Sequence, residues 1–152
     1  MKESRTTVGN ITSALHLLHR AGQCADELFT IHLGQSDLTP RQFAVLAAVS
    51  NSDEPSQTTL VEMTGIDRST LAEIVRRLVS RGLLARRRTR QDARMYAVRL
   101  TADGQAVLKK AEPAAKATDT RLLSAIPQGE RQVFIQALNR IVRTISSSSE
   151  AR

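Results

Sequence analysis

The feature that most constrains the fold of this sequence is a pair of short amphipathic segments joined at a single glycine. Ser56 is suited to cap a helix over residues 57–64, Gly65 ends it, and Asp67 caps a second helix over residues 68–80. The apolar residues suited to fix the angle between the two helices are Leu60, Val61, Ile66, Leu71 and Ile74. This spacing predicts a helix-turn-helix, in which the first helix braces the second against a DNA groove.

Two segments after the second helix predict a short antiparallel ribbon. In residues 95–100, Tyr96, Val98 and Leu100 occupy alternate positions, which is the period of a half-buried strand. Residues 83–88 supply the other strand, and the polar residues between the two segments form an exposed hairpin. A helix-turn-helix followed by such a ribbon is a winged helix. The predicted fold is therefore mainly α with a small β wing.

Longer helices flank this winged lobe. Apolar residues at helical spacing predict helices over residues 7–33, 40–49 and 101–123, and Pro127 starts a last helix. Pro113 lacks a backbone N–H, so it is expected to kink or break the helix in which it lies.

The flanking helices also indicate how the chain assembles. Residues 7–33 and 105–146 carry apolar faces too extensive for the winged lobe, residues 39–100, to cover. We therefore expect a single domain over residues 1–152 that forms a homodimer through these helices. An ordinary intramolecular helical cap is the alternative.

Positive charge is concentrated in one part of the sequence. Residues 68–99 hold ten arginines and two acidic residues, a net charge of +8, whereas the whole chain carries +7. Arginine is suited to phosphate and to guanine, so this block indicates nucleic-acid binding. Three phenylalanines and one tyrosine are too few for base stacking on single strands, which favours double-stranded DNA. A basic module that meets an acidic protein or an anionic membrane is the alternative.

Candidate DNA contacts lie on the second helix and on the wing. With Leu71, Ile74, Leu78 and Val79 turned inward, the outward residues of the helix are Arg68, Ser69, Thr70, Glu73, Arg76, Arg77 and Ser80. Glu73 could accept a hydrogen bond from cytosine. Arg76 and Arg77 diverge by about 100° on a helix, so we expect them to have different targets.

The wing adds the candidates Arg88, Arg90, Asp92 and Arg94. Arginine at a wing tip suits the negative potential of a narrow minor groove, and Asp92 would hold Arg94 extended. A solvated turn is the alternative for this hairpin.

Other properties of the sequence limit the classes of function that we expect. No apolar run is long enough to span a bilayer, residues 1–10 lack the apolar segment of a signal peptide, and Cys24 is the single cysteine. We therefore expect a cytoplasmic protein without a membrane partner. No nucleophile–base pair and no glycine-rich phosphate loop is evident, and His16 and His19 lack further metal ligands. We expect neither an enzyme nor a cofactor or metal site.

Three segments resemble the MarR family (multiple-antibiotic-resistance regulators). Residues 92–104, DARMYAVRLTADG, resemble the wing signature D-x-R-x-x-x-V-x-L-T-x-x-G. Residues 38–46 resemble the family's second helix, and residues 78–84 resemble the junction between recognition helix and wing. The resemblance covers roughly residues 8–146. Val61 departs from it, because helix-turn-helix motifs prefer a smaller residue there.

The resemblance implies a homodimer of winged-helix subunits, often a repressor that a small phenolic or other anion releases from a palindromic operator. It implies that Arg94 is the wing-tip arginine, that Asp92 supports it, and that residues 68–80 are the recognition helix. In this family the first helix, the start of the second and part of the fifth wall the effector pocket. The corresponding residues here are His16, His19, Arg20, Cys24, Phe29, Arg41 and Phe43.

Basic groups in such a pocket suit a small aromatic acid or its coenzyme A thioester. The alternative, which is favoured for any one of these residues taken alone, is an ordinary interfacial or surface role. Cys24 permits a second hypothesis, an oxidation-sensing repressor. Relatives that sense oxidants use tyrosines near the thiol, and Tyr96 lies in the wing instead. We therefore expect Cys24 to be a buried structural cysteine.

Overall fold

The computed structural model describes residues 12–89 and 96–149, with side chains to residue 146. These residues form mainly helices and one two-stranded antiparallel sheet, which confirms the predicted fold class. The elements in chain order are α1 (Ala14–Leu33), α2 (Pro40–Ser50), α3 (Gln57–Thr64), α4 (Arg68–Ser80), β1 (Leu84–Arg88), β2 (Tyr96–Leu100), α5 (Ala102–Leu123), a 3₁₀ turn (Gln128–Glu130) and α6 (Arg131–Ser149).

Side-chain caps start the helices of the lobe at the predicted residues. The Oγ of Ser56 accepts a hydrogen bond from the N–H of Thr59, and Asp67 accepts one from the N–H of Thr70. Gly65 ends α3 with a φ of 70°, a left-handed conformation that glycine adopts without steric cost. Thr39 and Gln42 add a reciprocal capping box at α2. The predicted helix-turn-helix is confirmed.

One core lies between the helix-turn-helix, α2 and the wing. Its fully buried large side chains are Val45, Leu46, Leu60, Leu71, Val75, Leu78, Leu84 and Val98. The predicted inward stripe of α4 was incomplete, because Val75 is fully buried while Ile74 and Val79 are half-buried. Leu71, Val75 and Leu78 follow the i, i+4, i+7 spacing of one helix face, and Ile74 and Val79 lie at its edges.

The wing sheet pairs Leu84 with Leu100 and Arg88 with Tyr96. The predicted alternation of β2 fails at its first two residues, since Tyr96 is 41% exposed and Ala97 is buried. Tertiary contacts explain the difference, because Ala97 forms an isolated bridge with Ser56 in the segment before α3.

A buried glycine joins the wing to α5. The Oγ1 of Thr101 donates to the carbonyl of Gly82 (2.6 Å) and accepts from the N–H of Gly104 (3.0 Å). Gly104 lies against the backbone carbonyl of Leu83, so closely that a Cβ at this position would overlap it. This joint fixes the first turn of α5 against the end of the recognition helix.

Three predicted boundaries of the flanking helices need correction. α1 begins at Ala14, where Ser13 caps it, rather than at residue 7; residues 7–11 lie outside the described residues. α5 is not broken at Pro113, which is exposed, so water can replace the hydrogen bond that it omits. Pro127 precedes the 3₁₀ turn, and the last α-helix begins only at Arg131.

The flanking helices expose much apolar surface in the single protomer. α1 packs along α5, but none of the described side chains of α6 is buried. Large exposed apolar residues of α1 and α6 are Leu15, Leu17, Leu18, Ile31, Val133, Phe134, Ile135, Ile141, Val142 and Ile145. Within the described ranges, no helix has the length and apolarity needed to cross a membrane.

Candidate nucleic-acid interface and ligand pocket

The first turn of α4 presents hydroxyl and guanidinium groups to solvent. Arg68 and Ser69 are exposed and Thr70 is half-buried. Asp67 orients both hydroxyls, since its carboxylate accepts from Ser69 Oγ (2.9 Å) and from Thr70 Oγ1 (2.7 Å). The hydrogen bonds from Thr70 and Ser69 lower the pKa of Asp67 to about 2. Both hydroxyls therefore donate inward and keep their lone pairs available as acceptors.

The middle of α4 carries one carboxylate between two arginines. Glu73 Oε1 accepts from Arg76 Nη2 (2.7 Å) and Arg77 Nε (2.8 Å), and its Oε2 accepts from Arg76 Nε (2.9 Å). Hydrogen bonds from Arg76 and then Arg77 lower the pKa of Glu73 to about 2. The two arginines share Glu73 as a partner within the helix, because residues at i+3 and i+4 both reach residue i. That they have different targets on DNA stays a prediction.

Further arginines lie along β1 beside the recognition helix. Arg88 is exposed, with its guanidinium carbon 5.9 Å from the centre of the Tyr96 ring. Arg86 and Arg87, which the sequence did not single out, are also exposed, and Arg87 Nη1 lies 3.3 Å from Glu54 Oε1. The run of three arginines was the signal available for them.

The predicted DNA contacts divide into two groups. The structure places Arg68, Ser69, Thr70, Glu73, Arg76 and Arg77 on α4 and Arg88 at the end of β1. The wing-tip residues Arg90, Asp92 and Arg94 lie outside the described residues. DNA contact by each of these residues stays a prediction.

The predicted ligand residues do not meet in one place within a protomer. Phe29 is buried against half-buried Phe43, with ring centroids 5.0 Å apart. Arg41 instead lines a groove of about 380 Å³ between the start of α2, Asp26 and the helix-turn-helix turn. His16, His19 and Arg20 lie at the other end of α1, since nine residues of helix separate Arg20 from Phe29 by ~14 Å.

Cys24 is exposed in the protomer, so the expectation of a buried cysteine is wrong for the single chain. It lies on the α1 surface that carries unpaired apolar side chains.

A second groove, of about 490 Å³, lies between the end of α1, the following loop and α5. His32, Arg81 and Lys110 line its polar part, and Val107 and Ala111 are among its apolar residues. This volume lies within the 300–1,000 Å³ range of small-molecule sites. Sequence reasoning missed Arg81 and Lys110 here, because they come from elements that only the fold brings to α1.

The histidine in this groove contacts a buried threonine of α5. His32 Nδ1 lies 3.0 Å from Thr118 Oγ1, and that hydroxyl lies 2.8 Å from the carbonyl oxygen of Ala114, to which it can donate. The contact links the end of α1 to α5 beside the groove.

The chain is similar to known transcription regulators. Residues 36–95 match the sequence profile described as MarR family. The chain is 33% identical to the transcriptional regulator HosA of Escherichia coli over 108 residues, 71% of this chain and 80% of the relative. It is 30% identical to the HTH-type transcriptional repressor NicR of Pseudomonas putida over 127 residues, 84% of this chain and 80% of the relative.

The fold is also similar to that of a solved regulator. The structure of BpsR of Bordetella bronchiseptica superposes with a TM-score of 0.79 and 30% sequence identity, covering 87% of this chain and 95% of that one. The DNA binding of BpsR is regulated by 6-hydroxynicotinic acid.

Proposed function

Since this chain belongs to the MarR family of ligand-responsive, winged-helix transcriptional repressors, we propose that it is a homodimer that a small aromatic acid releases from a palindromic operator. The observation that carries the proposal is the arginine-rich outer face of α4, continued along β1 and rigidly supported by the buried stripe beneath it. This face matches the recognition element of a winged helix. The protein would act in the cytoplasm as a regulator rather than as an enzyme.

Dimer formation follows from the flanking helices. A row of apolar side chains left uncovered along α1 and α6 is costly in water, and a second copy offers the same row for pairing by two-fold symmetry. Two recognition helices related by that symmetry suit half-sites whose centres lie about one helical turn, ~10 bp, apart.

The groove at His32 is the proposed effector site. Lys110 and Arg81 supply positive charge for a carboxylate, while Val107, Ala111 and Ala114 supply apolar surface for a ring. NicR and BpsR support a repressor of this kind, and 6-hydroxynicotinic acid, which regulates BpsR, has the proposed chemistry. The coenzyme A thioester of such an acid is the alternative effector; its carboxylate is consumed in the thioester, so its phosphates would have to meet the positive charge of Lys110 and Arg81.

The first experiment tests operator binding. Fluorescence anisotropy would compare the duplex that flanks the protein's own gene with a scrambled duplex of equal length, at several salt concentrations. We expect the flanking duplex to be preferred by about 10³-fold or more. Equal affinity for both duplexes would refute the repressor proposal and favour a basic module without sequence preference.

The second experiment tests the effector site. Lys110→Met should weaken binding of an aromatic carboxylate, whereas Lys109→Met, at the exposed neighbour that does not line the groove, should not. Calorimetry with 6-hydroxynicotinic acid, related aromatic acids and their thioesters would identify the form that binds. Linkage requires the operator to weaken ligand binding by the factor by which the ligand weakens operator binding. Equal ligand affinity with and without operator would refute an effector role.

The exposed thiol of Cys24 keeps an oxidation-sensing repressor as a second candidate. In that case peroxide alone would release the operator, and Cys24→Ser would abolish the release. Peroxide without effect on wild-type DNA binding would exclude this candidate.

A further inference from the structure

Glu73 is the acidic residue on the outer face of α4, where it lies among arginines. DNA phosphates repel a carboxylate, so its presence on a DNA-binding face needs a physical reason. The outward groups of the helix otherwise include Arg68, Arg76 and Arg77. A negative charge here lowers the attraction of this face for any duplex.

The carboxylate of Glu73 is already occupied by the protein. It offers about four acceptor positions, and three are taken by N–H groups of Arg76 and Arg77. The remaining position is on Oε2, so a cytosine amino group would have to approach it directly beside the Arg76 guanidinium group. This geometry argues against the predicted role of Glu73 as a direct reader of cytosine.

The same contacts orient the two arginines. Glu73 engages Nε of both, together with Nη2 of Arg76, so each guanidinium keeps further terminal N–H groups available. Arg76 and Arg77 remain 61% and 64% exposed, so these terminal groups are accessible. A fixed pair of N–H donors is what bidentate recognition of guanine requires, whereas a freely rotating arginine can follow any phosphate.

We propose that Glu73 is a positioning residue that determines specificity: it holds Arg76 and Arg77 in one orientation and lowers the affinity of this face for DNA of arbitrary sequence. This inference rests on the proposed function, because it concerns preference for an operator. The negative charge of Glu73 weakens binding to every duplex. Only the operator regains this affinity, because its bases match the fixed orientation of Arg76 and Arg77.

Two substitutions distinguish the effect of the charge of Glu73 from the effect of its side-chain length. Glu73→Gln keeps the length of the side chain and removes its charge. Glu73→Asp keeps the charge and shortens the side chain, which breaks the paired contacts with Arg76. Glu112→Gln on the exposed surface of α5 removes an equal charge away from α4 and is the matched control. Affinities for operator and scrambled duplexes would be measured across a salt series.

Glu73→Gln should bind the scrambled duplex about 10-fold more tightly at low salt, with a salt dependence steeper by about one ion per subunit. Its operator-to-scrambled ratio should fall about 10-fold or more. Glu73→Asp should lower that ratio while keeping the wild-type salt dependence on scrambled DNA. Circular dichroism and thermal unfolding would establish that each variant is folded. If Glu73→Gln does not fold, a folded Glu73→Asp is sufficient to test the proposal.

Two results would overturn the proposal. In the first, both Glu73 variants behave like Glu112→Gln. In the second, they lose preference at a single base pair with unchanged salt dependence, which would make Glu73 a direct reader. Failure of the proposed function is distinguishable, because wild type would then show no operator preference. Salt dependence on scrambled DNA would still report on Glu73.

Discussion

Gly104→Ala tests the close joint between the wing and α5. An ideal Cβ at Gly104 would overlap the carbonyl oxygen of Leu83 and lie 2.9 Å from its carbonyl carbon and 3.2 Å from Leu100 Cδ2. The nearest obstacle is backbone, which cannot rotate away as a flexible side chain would. The cost therefore falls at the upper end of the range for overpacking, about 3 kcal/mol.

This cost predicts a measurable fall in thermal stability. For a domain of this size, 1 kcal/mol lowers the unfolding midpoint by roughly 2–4 °C, so Gly104→Ala should lower it by about 6–12 °C. Gly129→Ala is the matched control, since no atom lies within 4 Å of its ideal Cβ. Calorimetry at one fixed protein concentration is the assay, because the proposed dimerisation would make the midpoint concentration-dependent. A Gly104→Ala midpoint within 2 °C of wild type would refute the reasoning.

Three further predictions concern DNA binding, pH and assembly. Arg94→Ala should weaken operator binding by roughly 1–3 kcal/mol per subunit, and Asp92→Ala should weaken it by less. Both residues lie outside the described ranges. Unchanged operator binding by Arg94→Ala across a salt titration would contradict the wing prediction. The pKa of Asp67 is about 2 against an ordinary 3.8, so the ionised carboxylate stabilises the folded state above about pH 4 and this stabilisation is lost as pH falls towards 2. In Asp67→Ala the unfolding midpoint should therefore depend less on pH over that interval. A pH dependence equal to that of wild type would contradict this. Val142→Asp, at a residue 62% exposed in the protomer, should yield folded monomers in sedimentation and weaken operator binding, whereas a persistent dimer would place the interface elsewhere.

The predictions that held depend on local chemistry. Ser56, Asp67 and Gly65 mark helix ends through contacts within three or four residues, so their effect can be read from sequence. The predicted inward stripe of α4 was recovered in part: Leu71 and Leu78 are fully buried, Ile74 and Val79 lie half-buried at its edges, and the fully buried Val75 was missed.

The features that sequence did not reveal depend on distant residues or on side-chain orientation. His32 and Thr118 are 86 positions apart, and only the packing of α1 on α5 brings them together. The contact of both Arg76 and Arg77 with Glu73 depends on rotamers, which helical angles alone do not fix. The exposure of Cys24 was also not evident from sequence, because it depends on which elements pack against that side of α1.

The short bridge between Ser56 and Ala97 restricts how an effector can act on this molecule. Ser56 caps α3 through its side chain and pairs with β2 through its backbone, and Val98 donates to the carbonyl of Pro55 at 2.9 Å. A rotation of the wing relative to α3 would break these contacts together, so the contacts oppose any independent rotation of the two elements. In the proposed dimer, a ligand bound at α1 and α5 would therefore act by changing the distance between the two winged lobes, and the fit of both recognition helices to one operator depends on that distance.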